Sequence, residues 1–209
     1  MAHVVLLGDS TFDNGAYVSN GPDVTAQLRQ YIGPDDRVSL LAVDGSLVDD
    51  AHNQLERIPL GSTHIVISVG GNDALDHLPR LDDAADTIGD GLMQIGALAA
   101  DFGTRHRAML RQARARGLPV AVATIYDGNL KPPQGLVAPH AAALFNDAIT
   151  RNAFITGADL IDLRLICTTP ADYANPIEPS VQGGGKIARA IAGWLAEERI
   201  EDGPSRVFT

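Results

Sequence analysis

The first apolar run, Val4-Val5-Leu6-Leu7, is continuous, begins with β-branched residues and is closed by Gly8-Asp9-Ser10. Such a run predicts a strand buried on both faces, as in a parallel sheet covered by helices. Val38 to Val43, Ile65 to Val69, Val120 to Ile125 and Leu160 to Leu163 repeat the pattern, each bounded by Gly, Pro or Asp. Helical periodicity fills the gaps between them, and strands alternating with helices imply βαβ units and one parallel sheet.

Asp23 is placed to cap a helix running through Leu28 to Ile32, because its side chain can accept from an otherwise unpaired first-turn N–H. In the middle of the chain Ile88, Leu92, Ile95 and Leu98 or Ala99 share one helical face. Gly89, Gly91 and Gly96 each cost about 1 kcal/mol relative to Ala in a helix interior, so that helix is expected to break or to pack closely there. Arg105, Arg107, Arg111, Arg114 and Arg116 follow, with Met109, Leu110 and Ala113 between them; this predicts an apolar stripe and a solvated arginine face. In the last helix Ile187, Ile191, Trp194 and Leu195 point inward and Lys186, Arg189, Glu197 and Glu198 outward. The segment from Asp127 to Pro139, rich in Pro and Gly, reads equally as a pocket wall or as a surface connection.

The 209 residues carry 16 Lys and Arg against 26 Asp and Glu, a formal charge of −10, which disfavours binding to phosphate backbones. Length and a 45% hydrophobic content suit a single domain over residues 1–209. Cys167 is the sole cysteine, so neither an internal disulfide nor a paired-cysteine zinc site can form. Met1 to Gly8 has no basic flank and no long apolar run, so the expected location is cytoplasmic, with no membrane partner.

Three predicted strand exits carry small polar clusters: Gly8-Asp9-Ser10-Thr11, Asp44-Gly45-Ser46 and Gly70-Gly71-Asn72-Asp73. In a parallel sheet they converge on one rim. A Ser there presents a hydroxyl near backbone N–H groups, Gly45 leaves its N–H approachable, and Asn72 offers an amide donor; together these are the parts of an oxyanion hole. Singly, each is also an ordinary cap or turn. Gly183-Gly184-Gly185-Lys186 lacks the first Gly and the Ser or Thr of a phosphate loop, and no GxGxxG follows the first strand. The six histidines are too scattered for a zinc or di-metal centre. No metal and no cofactor is therefore expected.

In order and content the three clusters resemble the first three sequence blocks of the SGNH (GDSL-type) hydrolases. Phe145-Asn146-Asp147, Ile161-Asp162-Leu163 and a closing helix after Gly183-Gly184 extend the resemblance over nearly the whole chain. It implies a three-layer α/β/α flavodoxin-like fold with a five-stranded parallel sheet in the order 2-1-3-4-5. It also implies an esterase or acylhydrolase activity, with Ser10 as nucleophile and an oxyanion hole from the Ser10 N–H, the Gly45 N–H and the Asn72 side chain. Asp9 and Asp73, beside the nucleophile and Asn72, are expected to face the substrate.

The family's last block, Asp-x-x-His, reads here Asn175-Pro176-Ile177-Glu178, followed by Pro179-Ser180. Three accounts fit. Glu178 is itself the base, its pKa raised by burial or by neighbouring acids, with Asn175 donating its amide N–H to it. Alternatively a histidine serves: His77, close after Asn72-Asp73 and next to Asp76, or His140 after the Pro-rich segment. His3 and His64 precede their strands, His106 sits among the arginines, and His52 lies in the helix after Gly45. In the third account hydrolysis is lost or weak, leaving a protein that binds an acyl or glycosyl ligand, or an acyltransferase. The first predicts a serine hydrolase acting on an ester or thioester with a small acyl group, a small-molecule substrate. The oligomeric state is not legible in the sequence.

Overall fold

The computed structural model of the chain describes residues 1–197 and 203–209, so the expectation for Glu198 lies outside the described residues. Its strands form one parallel sheet in the order β2-β1-β3-β4-β5-β6: β1 His3–Gly8, β2 Arg37–Leu40, β3 His64–Ser68, β4 Val120–Ala123, β5 Asp159–Ile161 and β6 Val207–Phe208. The expected five strands and their order are present, and a sixth extends the sheet. β6 has no apolar run to announce it; it is held by pairing Leu160 with Val207 and Ile161 with Phe208, and by Arg206 on Asp159 at 2.9 Å.

Alternation along the strands splits the core in two. Val5, Leu7, Ile65 and Ile67 face the layer that includes α2 (Val48–Gln54), α4 (Ile88–Arg114) and α5 (Gln134–Thr156); α3 (Gly71–Leu75) also packs against α5. Val4, Leu6 and Val66 face α1 (Val24–Tyr31) and α7 (Val181–Ala196), with the short α6 (Leu163–Ile166) beside them. Period-two side chains with helices on each face make three layers. Asp23 caps α1 through Ala26 N–H as expected, and Ile187, Ile191 and Trp194 of α7 are buried.

Several helical expectations change. α4 runs unbroken, and a Cβ on Gly89 or Gly91 would come no nearer than 3.5 Å to its neighbours and one on Gly96 would meet nothing within 4 Å, so these three glycines mark neither a break nor a close approach. Ile88 and Leu92 are 86% and 62% exposed, because the start of α4 has no partner covering that face. Of the arginines, Arg105 pairs with Asp101, Asp49 and Asp73, Arg107 donates to Asn152, and Arg114 donates to the carbonyls of Thr156 and Leu118. These three bind neighbouring segments, Arg111 and Arg116 are exposed as a solvated face requires, and Met109, Leu110 and Ala113 are buried as predicted. His106 is also fully buried, its ring 5.3 Å from Phe102, and burial lowers its pKa to about 3, which keeps it neutral.

The Gly183-Gly184-Gly185 run allows α7 to pack closely. A Cβ on Gly183 would lie 2.1 Å from the Asp172 carbonyl oxygen, and one on Gly185 would lie 2.5 Å from Gln27 Oε1. Backbone cannot retreat as a side chain can. Gly183→Ala is therefore expected to destabilise the fold by about 1–3 kcal/mol, as overpacking does. Gly96→Ala should instead stabilise it by about 1 kcal/mol. Urea unfolding of the two variants checks both signs.

Candidate active site

In an open parallel sheet the ligand crevice lies beyond the carboxyl ends of the strands, where the strand order reverses. Here β1 is that point, with β2 on one side and β3 on the other. The gap between the exits of β1 and β3 is very narrow: Gly8 has φ +119°, and a Cβ on it would lie 1.7 Å from the Ser68 carbonyl oxygen. That oxygen accepts from Asp9 N–H at 3.0 Å. The chain then makes one hydrogen-bonded turn, with Phe12 and Asp13 N–H both donating to Asp9 O, before α1 starts much later at Val24. Ser10 thus sits on an isolated turn and not at the start of a long helix.

Buried amides hold the rim together. Gln54 accepts from Gly8 N–H at 2.6 Å and donates to Gly8 O at 2.9 Å and Ser46 Oγ at 3.2 Å, joining the first exit to the second. Asn72 donates to Ser46 O at 3.1 Å, joining the third to the second. An amide has two N–H donors, so Asn72, which lines the cleft, keeps a second for a ligand. Asn146 clasps Ile125 on both sides, with two bonds of 2.8 Å. Gln54 was missed in the sequence; its signal was a polar residue in step with Val48 and Ala51 on the inward face of α2.

These exits border a cleft of about 950 Å³, counted out to its open mouth. Asp9, Ser10, Asn72, His77, Tyr126 and Glu178 supply polar lining, and Leu75, Leu78, Ile95, Leu98 and Phe145 contribute to an apolar wall. Asp127, Gly128, Leu130 and Ala138 also line it, so the Pro-rich segment forms pocket wall; its later part, from Gln134, is already α5. Gly45 stands on the exposed tip of its turn at the same rim and does not line the cleft. Its turn is tied to Ser10's by Val43 N–H on Gly8 O and Asp44 N–H on Asp13, each 3.0 Å. Asp73 corrects an expectation. It is buried away from the cleft, accepts from Val48 N–H at 3.1 Å and faces Arg105, so it anchors the start of α2 and not a substrate.

Glu178 is brought to Ser10 by a cross-linked loop. Ala174 N–H donates to Glu178 O, Tyr126 hydroxyl to Ile177 O, Asn129 N–H to Pro176 O and Asn14 amide to Pro179 O, at 2.7–3.1 Å. Asn175 acts differently from the expectation. Its Oδ1 accepts from the backbone N–H groups of Ile177 (2.9 Å) and Glu178 (2.8 Å), so it shapes the turn that carries Glu178 and does not donate to the carboxylate. Glu178 is 4% exposed and lines the same cleft as Ser10. Its buried Oε2 has no hydrogen-bond partner among the described residues.

Burial pushes the Glu178 pKa upward; the Ser10 hydroxyl opposes this and the charge of Asp44 adds to it. Neighbouring acids are the smaller cause. Asp9 is pushed up to about 7, first by burial, with the charges of Glu178 and Asp73 adding and the Thr11 N–H and hydroxyl opposing. His77 shares the cleft, its ring 6.5 Å from that of Phe145, whereas His140 does not line the cleft. His3 and His64 open β1 and β3, the ends away from the cleft, and His52 lies on α2.

A family model described as GDSL-like lipase/acylhydrolase matches residues 6–183. The chain belongs to this family. Among solved structures, this GDSL-like acylhydrolase family member is similar to an extracellular lipase from Streptomyces rimosus (TM-score 0.69, 16% identity, covering 94% of this chain and 100% of that one). It is also similar to a psychrotrophic esterase from Pseudoalteromonas sp., in a structure inhibited by monoethylphosphonate (0.65, 18%, 94% and 100%). A third is a catalytic mutant of an acetylxylan esterase from Geobacillus stearothermophilus (0.66, 16%, 97% and 97%). These likenesses establish the shared fold. A search of curated protein sequences returns no match. Among the described residues no helix is long and apolar enough to cross a membrane.

Asp9 makes the fold of this family member pH-dependent. With a folded pKa of about 7 against an ordinary 3.8, the native state keeps a proton that the unfolded state has lost between those values. Stability from this group therefore falls as pH rises, by about 1.4 kcal/mol per pH unit across that window. Asp9→Asn keeps an oxygen for Thr11 N–H and removes the titration. Relative to the parent it should gain stability from pH 4 to pH 7 and stay level above; denaturant unfolding across that range measures it.

Proposed function

We propose that the protein is a serine esterase in which Ser10 is the nucleophile and Glu178 the general base. The observation that carries the reading is that Glu178, a buried carboxyl whose Oε2 has no partner among the described residues, lines the same cleft as Ser10. A carboxylate is a weak base for a serine hydroxyl in water, and burial brings it closer to the task by raising its pKa. Asp9, which holds its proton up to about pH 7, limits the negative charge accumulating beside Glu178.

In this mechanism Glu178 takes the Ser10 proton as Oγ attacks the ester carbonyl. The oxyanion is received by the Ser10 N–H and the second N–H of Asn72, while Gly45, which does not line the cleft, stays at the rim. Glu178 returns the proton to the departing alkoxide, leaving an acyl-Ser10 ester, and then activates the water that hydrolyses it. Asn175 positions the base through the turn. By the same proposal it is a cytoplasmic enzyme acting on a small-molecule ester or thioester.

A fluorophosphonate probe should label Ser10, as read by mass spectrometry, and Ser10→Ala should abolish the label. Glu178→Gln should lower kcat/KM and the labelling rate by about 10³-fold or more, the scale seen when a member of a hydrolytic triad is removed; His77→Ala should have far less effect. The rate should fall as pH drops through the raised Glu178 pKa, and in Glu178→His the limb should move to the imidazole range near 6.5. Absence of label on Ser10, or an unchanged Glu178→Gln, overturns the assignment.

A further inference from the structure

α4 and α5 are 27 and 23 residues long, roughly 40 and 35 Å at 1.5 Å per residue, whereas strands of four to six residues cover only about 13–20 Å. Both helices start on the Ser10 side of the sheet, and their first turns overhang its edge. The apolar half of the cleft runs between these turns. On α5, Ala138, Ala141, Ala142 and Phe145 line it at the i, i+3, i+4, i+7 spacing of one helical face, opposite Ile95 and Leu98 of α4. The small side chains of these three alanines leave an apolar channel along this face, with the buried Phe145 at its last position.

We propose that this channel holds the acyl half of the substrate, a linear saturated chain of roughly eight carbons, and that the three alanines set its length. The length follows from the face itself. Ala138 to Phe145 spans about 10 Å of helix, and an extended alkyl chain advances roughly 1.25 Å per C–C bond of 1.52 Å. Neither Ala nor Phe can hydrogen-bond an acyl hydroxyl or a sugar, so this wall rewards methylene groups alone. An acetyl group has no methylene for this wall to bury, which revises the small acyl group expected from the sequence. Leu92 and Ile88, the next residues on that face of α4, are exposed and do not line the cleft, so a chain longer than the channel would leave it for solvent. The inference rests on the serine-esterase reading for its chemistry, with Ser10 at one end of the channel.

Hydrolysis of p-nitrophenyl acetate, butyrate, octanoate and dodecanoate tests it. kcat/KM should rise by up to about fourfold per added methylene, the factor equivalent to 0.8 kcal/mol, peak near octanoate and fall at dodecanoate. Ala141→Phe should lower the octanoate-to-acetate ratio of kcat/KM by at least about tenfold. Ala142→Val, a smaller intrusion, should lower it less, and guards against a misfolded Ala141→Phe. Binding of methyl octanoate to Ser10→Ala, followed by calorimetry, should weaken when Ala141→Phe is added. A maximum at acetate, or an unchanged ratio in both variants, overturns the channel and leaves the esterase reading standing. Methyl octanoate binding that responds to Ala141→Phe, with no ester hydrolysed by the parent protein, keeps the channel and overturns the esterase reading.

Discussion

The site depends on how nearly two strand ends touch. Gly8 and Ser68 close β1 and β3, and the position a Cβ would occupy on Gly8 is already filled by the Ser68 carbonyl. Only glycine fits, both for that contact and for its left-handed φ. The reward is positional. Asp9 N–H closes onto Ser68 O, the turn bearing Ser10 is forced over the seam between the strands, and Asn72 emerges from the next turn facing the same crevice. Gln54 and Asn72 then tie both exits to Ser46, so three strands' worth of loop move as one body.

Against that rim the chain sets two buried carboxyls, Asp9 and Glu178, and burial is the leading cause of each upward shift. Buried carboxyls with raised pKa oppose folding as the pH rises, so the site is held by what surrounds it. The cross-links from Asn14, Tyr126, Asn129 and Asn175 converge on the loop that carries Glu178. Local stability spent on chemistry and recovered in neighbouring hydrogen bonds is a common compromise at functional sites. Its consequence for the proposed base is orientation: with its backbone fixed on both sides, Glu178 has few ways to turn its carboxyl from Ser10.

Much of this was legible in the chain. Continuous apolar runs ending in Gly-Asp-Ser or Gly-Gly-Asn-Asp announced a parallel sheet with its polar ends gathered on one rim, because strands buried on both faces leave no alternation to hide. Asp23 and the Ile187-Ile191-Trp194 stripe behaved as their spacing predicts. β6 was invisible because two residues carry no period. Ile88 and Leu92 share the periodicity of Ile95 yet lie in solvent, since period reports a helix face and not whether anything covers it. Asp73 and Asn72 are adjacent in sequence but serve opposite sides of α3, one anchoring α2 and the other facing the cleft.

By itself the sequence determined a parallel α/β sheet and the placement of Ser10 and Asn72 on a common rim, because these follow from pattern and from residue type; the strand order was what the resemblance to the SGNH hydrolases implied. Tertiary structure alone decided that Glu178 is buried in the same cleft as Ser10, that Asn175 holds the backbone and not the carboxylate, and that three alanines of α5 line that cleft. The first depends on packing between segments 168 residues apart and the third on packing of α4 against α5; the second depends on which way a short turn folds, which residue type alone does not fix.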